Sequence, residues 1–208
     1  MVAGVFVIRA ALVKNDPNRG PRSAAELATS DAEAAVSKNP RSADARIKLG
    51  NAYAIVGRYS DAIKQLRLAE NLDPQNADAL FLLGSVYRKS GDYSSAILYL
   101  KKAAASKDQL GVYYSDVNFE LGQAYYDNRE YKKAIAVYNK AIEAFPLDSD
   151  VIFEMARAYE GLGDKKEAIS RYKEAMTYEP QFAEARQALI RLGVQPKDIP
   201  TGKAGGFQ

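Results

Sequence analysis

The chain has 208 residues, 47% of them hydrophobic, and a formal net charge of +3, which is ample material for a sizeable core and argues against disorder. It contains neither cysteine nor histidine, so disulfides, thiolate nucleophiles, imidazole bases and the usual zinc and transition-metal ligands are all removed. The excess charge is confined to residues 1–22, where Arg9, Lys14, Arg19 and Arg22 face only Asp16; the rest balances 25 basic against 25 acidic groups, lacks the basic stripe that phosphate binding needs, and makes nucleic acid an unexpected ligand.

Residues 1–13 are apolar except for Arg9. The run falls short of the roughly 20 residues that span a bilayer, and no basic segment precedes it as in a signal peptide. Residues 1–22 are therefore read as an apolar and basic N-terminal segment, with membrane attachment through part of an anchor as the alternative. Residues 24–38 have a helical pattern with alanines at 28 and 35, and Pro40 follows; the block 23–42 is expected to cover the end of what comes next.

A Leu-Gly-x-x-Tyr core then recurs. It stands at Leu49-Gly50 with Tyr53, Leu83-Gly84 with Tyr87 and Leu121-Gly122 with Tyr125, and in a softened copy at Met155-Ala156 with Tyr159, at spacings of 34, 38 and 34 residues. Each core is followed by an alanine and a larger residue, Ala62 and Leu66, Ala96 and Leu100, Ala134 and Tyr138, Ala168 and Tyr172, and then by Ala69, Ala103, Ala141 or Ala175. Pro74, Pro146 and Pro180 close three units, and Asp108 stands where the other would have its proline.

Apolar residues at helical intervals predict two amphipathic helices per unit, broken at Gly57-Arg58, Gly91-Asp92, Arg129-Glu130 and Gly163-Asp164. The units are 43–76, 77–114, 115–148 and 149–182. Ala28 and Ala35 align with the repeated alanines, so residues 24–38 read as the second helix of a unit that lacks its first. Small residues after the core Leu and at the start of the second helix let paired helices approach closely. A leucine at Gly84 or Ala96 would overpack that crossing at a cost of roughly 1–3 kcal/mol. A single hairpin buries its apolar face only against neighbours, so stability is expected to accumulate along the stack.

The 38-residue spacing carries four extra residues near 108–114. Four is close to the 3.6 residues of a helical turn, so the insertion is expected to lengthen the third unit's first helix without rotating its faces, with Tyr113 and Tyr114 packing locally. A projecting contact through these two tyrosines is the alternative. Residues 183–193 read as a C-terminal capping helix with Ala185, Leu189 and Leu192 on one face and Gly193 as its stop, and residues 194–208 as a flexible tail.

This pattern resembles the tetratricopeptide repeat (TPR) family over residues 40–182. The resemblance implies an all-α fold, a right-handed α-α superhelix of antiparallel helix pairs, and a concave groove in which the first helices hold a partner peptide or helix. Ile47, Phe81, Phe119 and Phe153 stand two residues before each core, and Asn51, Ser85, Gln123 and Arg157 two after it; residues four apart share a helix face. Arg88, Lys89, Tyr126 and Glu160 complete the expected lining. The three phenylalanines are equally readable as core, since the neighbouring positions already supply apolar faces. Asp44, Asp78, Asp116 and Asp150 recur near the start of each first helix, where a carboxylate is favoured by the helix dipole.

One TPR subgroup grips the C-terminal carboxylate of chaperone partners with Lys, Asn and Arg. Here Asn51 matches one Asn, but Ile47 replaces a Lys, and Leu82, Asp116 and Glu120 stand where an Asn, a Lys and an Arg are expected. Acidic groups repel a carboxylate, which sets that job aside. The expected function is a scaffold binding a protein or peptide ligand, with no catalytic residue, metal or cofactor. No Gly-rich phosphate loop is present, and pairs such as Glu143 with Asp148 read as surface charges. The alternative is a membrane-attached assembly factor of a bacterial envelope machine acting by self-association.

Overall fold

A computed structural model describes residues 23–106 and 112–201, with side chains for all of these except 112–115. Among the described residues there are ten α-helices: α1 (Ala24–Lys38), α2 (Ala43–Ile55), α3 (Tyr59–Leu72), α4 (Ala77–Lys89), α5 (Tyr93–Ala104), α6 (Val112–Asp127), α7 (Tyr131–Ala144), α8 (Ser149–Leu162), α9 (Lys165–Tyr178) and α10 (Ala183–Arg191). A 3-10 turn, Pro196–Asp198, follows. The pairs α2/α3, α4/α5, α6/α7 and α8/α9 form antiparallel hairpins, and each second helix packs on the next first helix. The hairpins stack into a right-handed superhelix, with α1 at one end and α10 at the other.

Local chemistry sets the boundaries. Ser42 and Asn76 cap α2 and α4 by accepting from the Ala45 and Ala79 amides at 3.1 and 3.0 Å, which satisfies amides that have no partner inside the helix. Asp148 caps α8 in the same way through Asp150 and Val151. The turn inside each hairpin needs a left-handed residue. Gly57, Gly91 and Gly163 supply it at φ of 75°, 87° and 86°, whereas the third unit uses Arg129 at 60°.

The expected close crossings are present. A Cβ on Gly50 would lie 2.6 Å from Leu66 Cγ, and one on Gly84 would lie 2.5 Å from Leu100 Cγ. All eight repeated alanines, from Ala62 to Ala175, are fully buried between helices. The core runs the length of the stack as adjoining apolar clusters; the last joins Tyr172 and Met176 of α9 to Ala185 and Leu189 of α10.

Two details depart from the simple repeat. α6 is 16 residues long against 13 in α2 and α4, so Asp116 does not lie in its first turn, although Asp44, Asp78 and Asp150 do lie in theirs. The dipole argument therefore fails for Asp116. The chain after Gly193 also stays packed for several residues, because Ile199 is 3% exposed and joins Val194 on the α9–α10 cluster. Among the described residues no helix is long and apolar enough to cross a membrane. The 1–22 segment and residues 202–208 of the expected tail lie outside the described residues.

Candidate functional site

The first helices α2, α4, α6 and α8 touch one another in series along the stack, and the second helices are in no comparable contact. Elements that crowd together lie on the inside of a curve, so the first helices form the concave wall. Their repeated positions place Asn51 and Lys89 exposed, Gln123, Arg157 and Tyr126 half-buried, and Ser85 buried at 8% exposure. Ile47 is half-buried against the first cluster.

The three phenylalanines are partly buried against the core clusters. Phe81 packs against two of the apolar clusters at once. The Phe119 ring lies 6.3 Å from that of Tyr138, and Phe153 lies 5.4 Å from Tyr172 and 4.8 Å from Phe182. Each remains partly exposed. They are packed members of the hairpins that keep part of their surface exposed.

Arg88 and Arg157 are held by partners that sequence spacing did not single out. Arg88, on α4, donates through Nε to Glu120 at 2.9 Å and through Nη1 to Asp127 at 3.1 Å, both on α6. Seven residues apart, the two carboxylates share a face of α6, which is the signal that could have marked them. Arg157 donates through Nη1 to Glu154 at 2.8 Å, and its guanidinium lies 4.6 Å from the centre of the Tyr126 ring. Tyr126 in turn meets Tyr131 edge-on at 5.5 Å. Charged hydrogen bonds and a ring stack of this kind fix a side chain before a ligand arrives.

Glu160 completes an open cleft of about 390 Å³ lined also by Tyr126, Arg157, Gly161 and Arg191. It accepts from Arg191 Nη2 of the capping helix at 2.8 Å and from Tyr172 Oη at 3.0 Å. Burial raises the pKa of Glu154 above the usual carboxylate value, and the attraction of Arg157 offsets this only in part. The Tyr138 hydroxyl is buried with no hydrogen-bond partner, and burial pushes its pKa up. No group of three acidic side chains among the described residues is arranged to hold a metal ion.

Of the twelve expected groove residues, the structure gathers Tyr126, Arg157 and Glu160 in one cleft and ties Arg88 across to α6. Asn51 lies apart, near α1. Tyr113 and Tyr114 fall within α6, and their side chains lie outside those described.

The same hairpins are recognised in known proteins. Sequence patterns described as TPR repeat and tetratricopeptide repeat match residues 50–91, 79–111, 115–148 and 149–182. No curated protein sequence matches the chain. Among solved structures, the chain is similar to MamA at 29% identity and a TM-score of 0.66, covering 77% of this chain and 85% of that one. YrrB, described as a TPR protein with an unusual peptide-binding site, superposes with a TM-score of 0.68 at 20% identity over 79% of this chain and 82% of its own. PilW, described as a type IV pilus biogenesis factor, gives 0.73 at 18% over 82% and 79%; these two likenesses speak to fold alone. Four successive matches in phase with four observed hairpins place the chain in the tetratricopeptide repeat family, as an all-helical solenoid scaffold.

Proposed function

We propose that the concave wall of α2, α4, α6 and α8 captures an extended peptide or a helix of a partner protein. The observation that carries this is the fixed polar and aromatic surface on that wall: Arg157 stacked on Tyr126 beside an open cleft, and Arg88 anchored across to α6. Side chains held in place by neighbours lose little freedom on binding, which lowers the entropic cost of holding a ligand. Partly exposed ring edges of Phe81, Phe119 and Phe153 add apolar contact between the polar rungs.

Affinity capture with quantitative mass spectrometry tests the reading. An inner-wall variant, Lys89→Ala with Gln123→Ala, keeps the phenylalanines and ion pairs intact and so keeps the fold. It should lose captured partners by at least about tenfold, the equivalent of about 1.4 kcal/mol. An outer-surface variant, Lys64→Ala with Lys101→Ala and Lys140→Ala, should capture as the wild type does. Equal capture by the inner-wall variant, or loss only in the outer one, overturns the proposal.

A further inference from the structure

The N-terminal half-unit has a surface that every complete unit buries. Thirty-four residues before Ala62 and Ala69 stand Ala28 and Ala35. The eight matching alanines of the complete units are fully buried, yet Ala28 and Ala35 are exposed. In a complete unit the site is covered by the unit's own first helix; the Gly50 position of α2, for example, lies against Ala62 and Leu66 of α3. The helix that would cover α1 in this way is missing from the described residues.

What remains is an open, mainly apolar groove of about 480 Å³ between α1 and α2, with Ala25, Ala28, Ala32 and Ala35 on one wall and Ala52 and Ile55 on the other. Two substitutions fit this groove to an occupant. Ile55 is 67% exposed, whereas Lys89, Asp127 and Gly161 hold its place in the other units. Ala32 stands where the complete units have Leu66, Leu100, Tyr138 and Tyr172, which leaves volume for large side chains on whatever packs there.

We propose that residues 1–13 of the same chain dock in this groove as a helix antiparallel to α1, in place of the missing first helix. The chain outside the description ends at residue 22, next to α1, so the segment is tethered at the mouth of the groove. Residues 14–22 contain Pro17, Gly20 and Pro21, which break a helix. Nine such residues reach up to about 30 Å, far more than the 8–10 Å between packed helix axes, so the segment can fold back. It is apolar like most of the groove, whose lining carries one acidic and one basic side chain, Asp31 and Lys48; Asp31, on α1, is the one that complements Arg9, the single charged side chain of the segment. A second copy of the chain and a lipid surface are the competing hosts for such a segment.

Because the chain has no cysteine, engineered thiols report without background. Ile55, at the C-terminal end of α2, lies level with the end of a segment that runs parallel to α2, so Ile55→Cys is combined in turn with Ala10→Cys, Ala11→Cys, Leu12→Cys and Val13→Cys in the full chain, and disulfide formation is followed in dilute solution. Circular dichroism checks that each pair keeps the helix content. A docked helix presents only one face, so one or two of the four pairs should close within the monomer at least about tenfold faster than the others. Equal rates at all four positions would mean a loose tether colliding at random and would overturn the proposal. So would disulfides formed only between chains, or intrachain closure abolished by phosphatidylcholine–phosphatidylglycerol vesicles that bind the segment.

Discussion

Tyr138 and Tyr172 occupy the same place in successive units and are both fully buried, but only Tyr172 has a use for its hydroxyl. Its acceptor, Glu160, is replaced in the third unit by Tyr126. Tyr172→Phe should therefore cost about 1 kcal/mol, and Tyr138→Phe, which removes a buried hydroxyl without a partner, should be neutral or stabilising. Urea unfolding of the two variants in parallel gives the comparison. Arg129 shows the same logic in the backbone. It holds a left-handed turn, φ of 60°, that the other hairpins give to glycine, so Arg129→Gly should raise stability by about 1 kcal/mol. The break at Arg129-Glu130 was legible because the repeat register marks it even without a glycine. The missing hydroxyl partner was not, since it depends on how far a tyrosine reaches into the neighbouring helix.

Helix crossings were the most legible feature at the next scale. Gly50 and Gly84 face Leu66 and Leu100 as the spacing implies, and in the second unit a Cβ at Gly84 would also meet the Leu100 backbone nitrogen at 3.1 Å, which cannot rotate away. Gly84→Ala should cost about 1–3 kcal/mol, read as a lower urea midpoint. Groove and core were harder to separate. Phe119 and Phe153 pack on tyrosines of the second helices yet stay partly exposed, and period alone cannot divide such a face. Ser85 shares the spacing of Asn51 and Gln123 but is covered.

Glu154 links packing to pH at this scale. It lies mostly buried beside Arg157, with Asp127 and Arg88 also within electrostatic reach. A carboxyl with a raised folded-state pKa favours folding while protonated, and that contribution is lost as pH rises through the raised value. The urea midpoint of the wild type should therefore fall relative to that of Glu154→Gln between about pH 4 and about pH 7. A difference that stays constant would mean that the Arg157 pairing cancels burial, and one that moves the other way that it outweighs burial.

At the scale of the whole molecule, four hairpins in phase define the solenoid, and the sequence carries that through the 34-residue period itself. The four extra residues near 108–114 change the length of α6 and not the continuity of the stack, since α5 still packs on α6. The ends were less legible. Ile199 reads as part of a Gly- and Pro-rich tail, yet it packs on the capping helix, because a single apolar residue has no period to announce it. The charge ties of the groove also join elements far apart in sequence: Arg191 of α10 holds Glu160 of α8, and Arg88 of α4 holds Glu120 of α6. The spacing of Glu120 and Asp127 marks two carboxylates on one face of α6, but no local pattern says which cation meets them.

The central claim is that the first helices hold the partner. Hydrogen exchange followed by mass spectrometry, with and without a captured partner at saturating concentration, reads this directly. Protection should increase in α2, α4, α6 and α8 and leave the second helices α3, α5 and α7 unchanged within error. Protection gathered on the second helices would contradict the account.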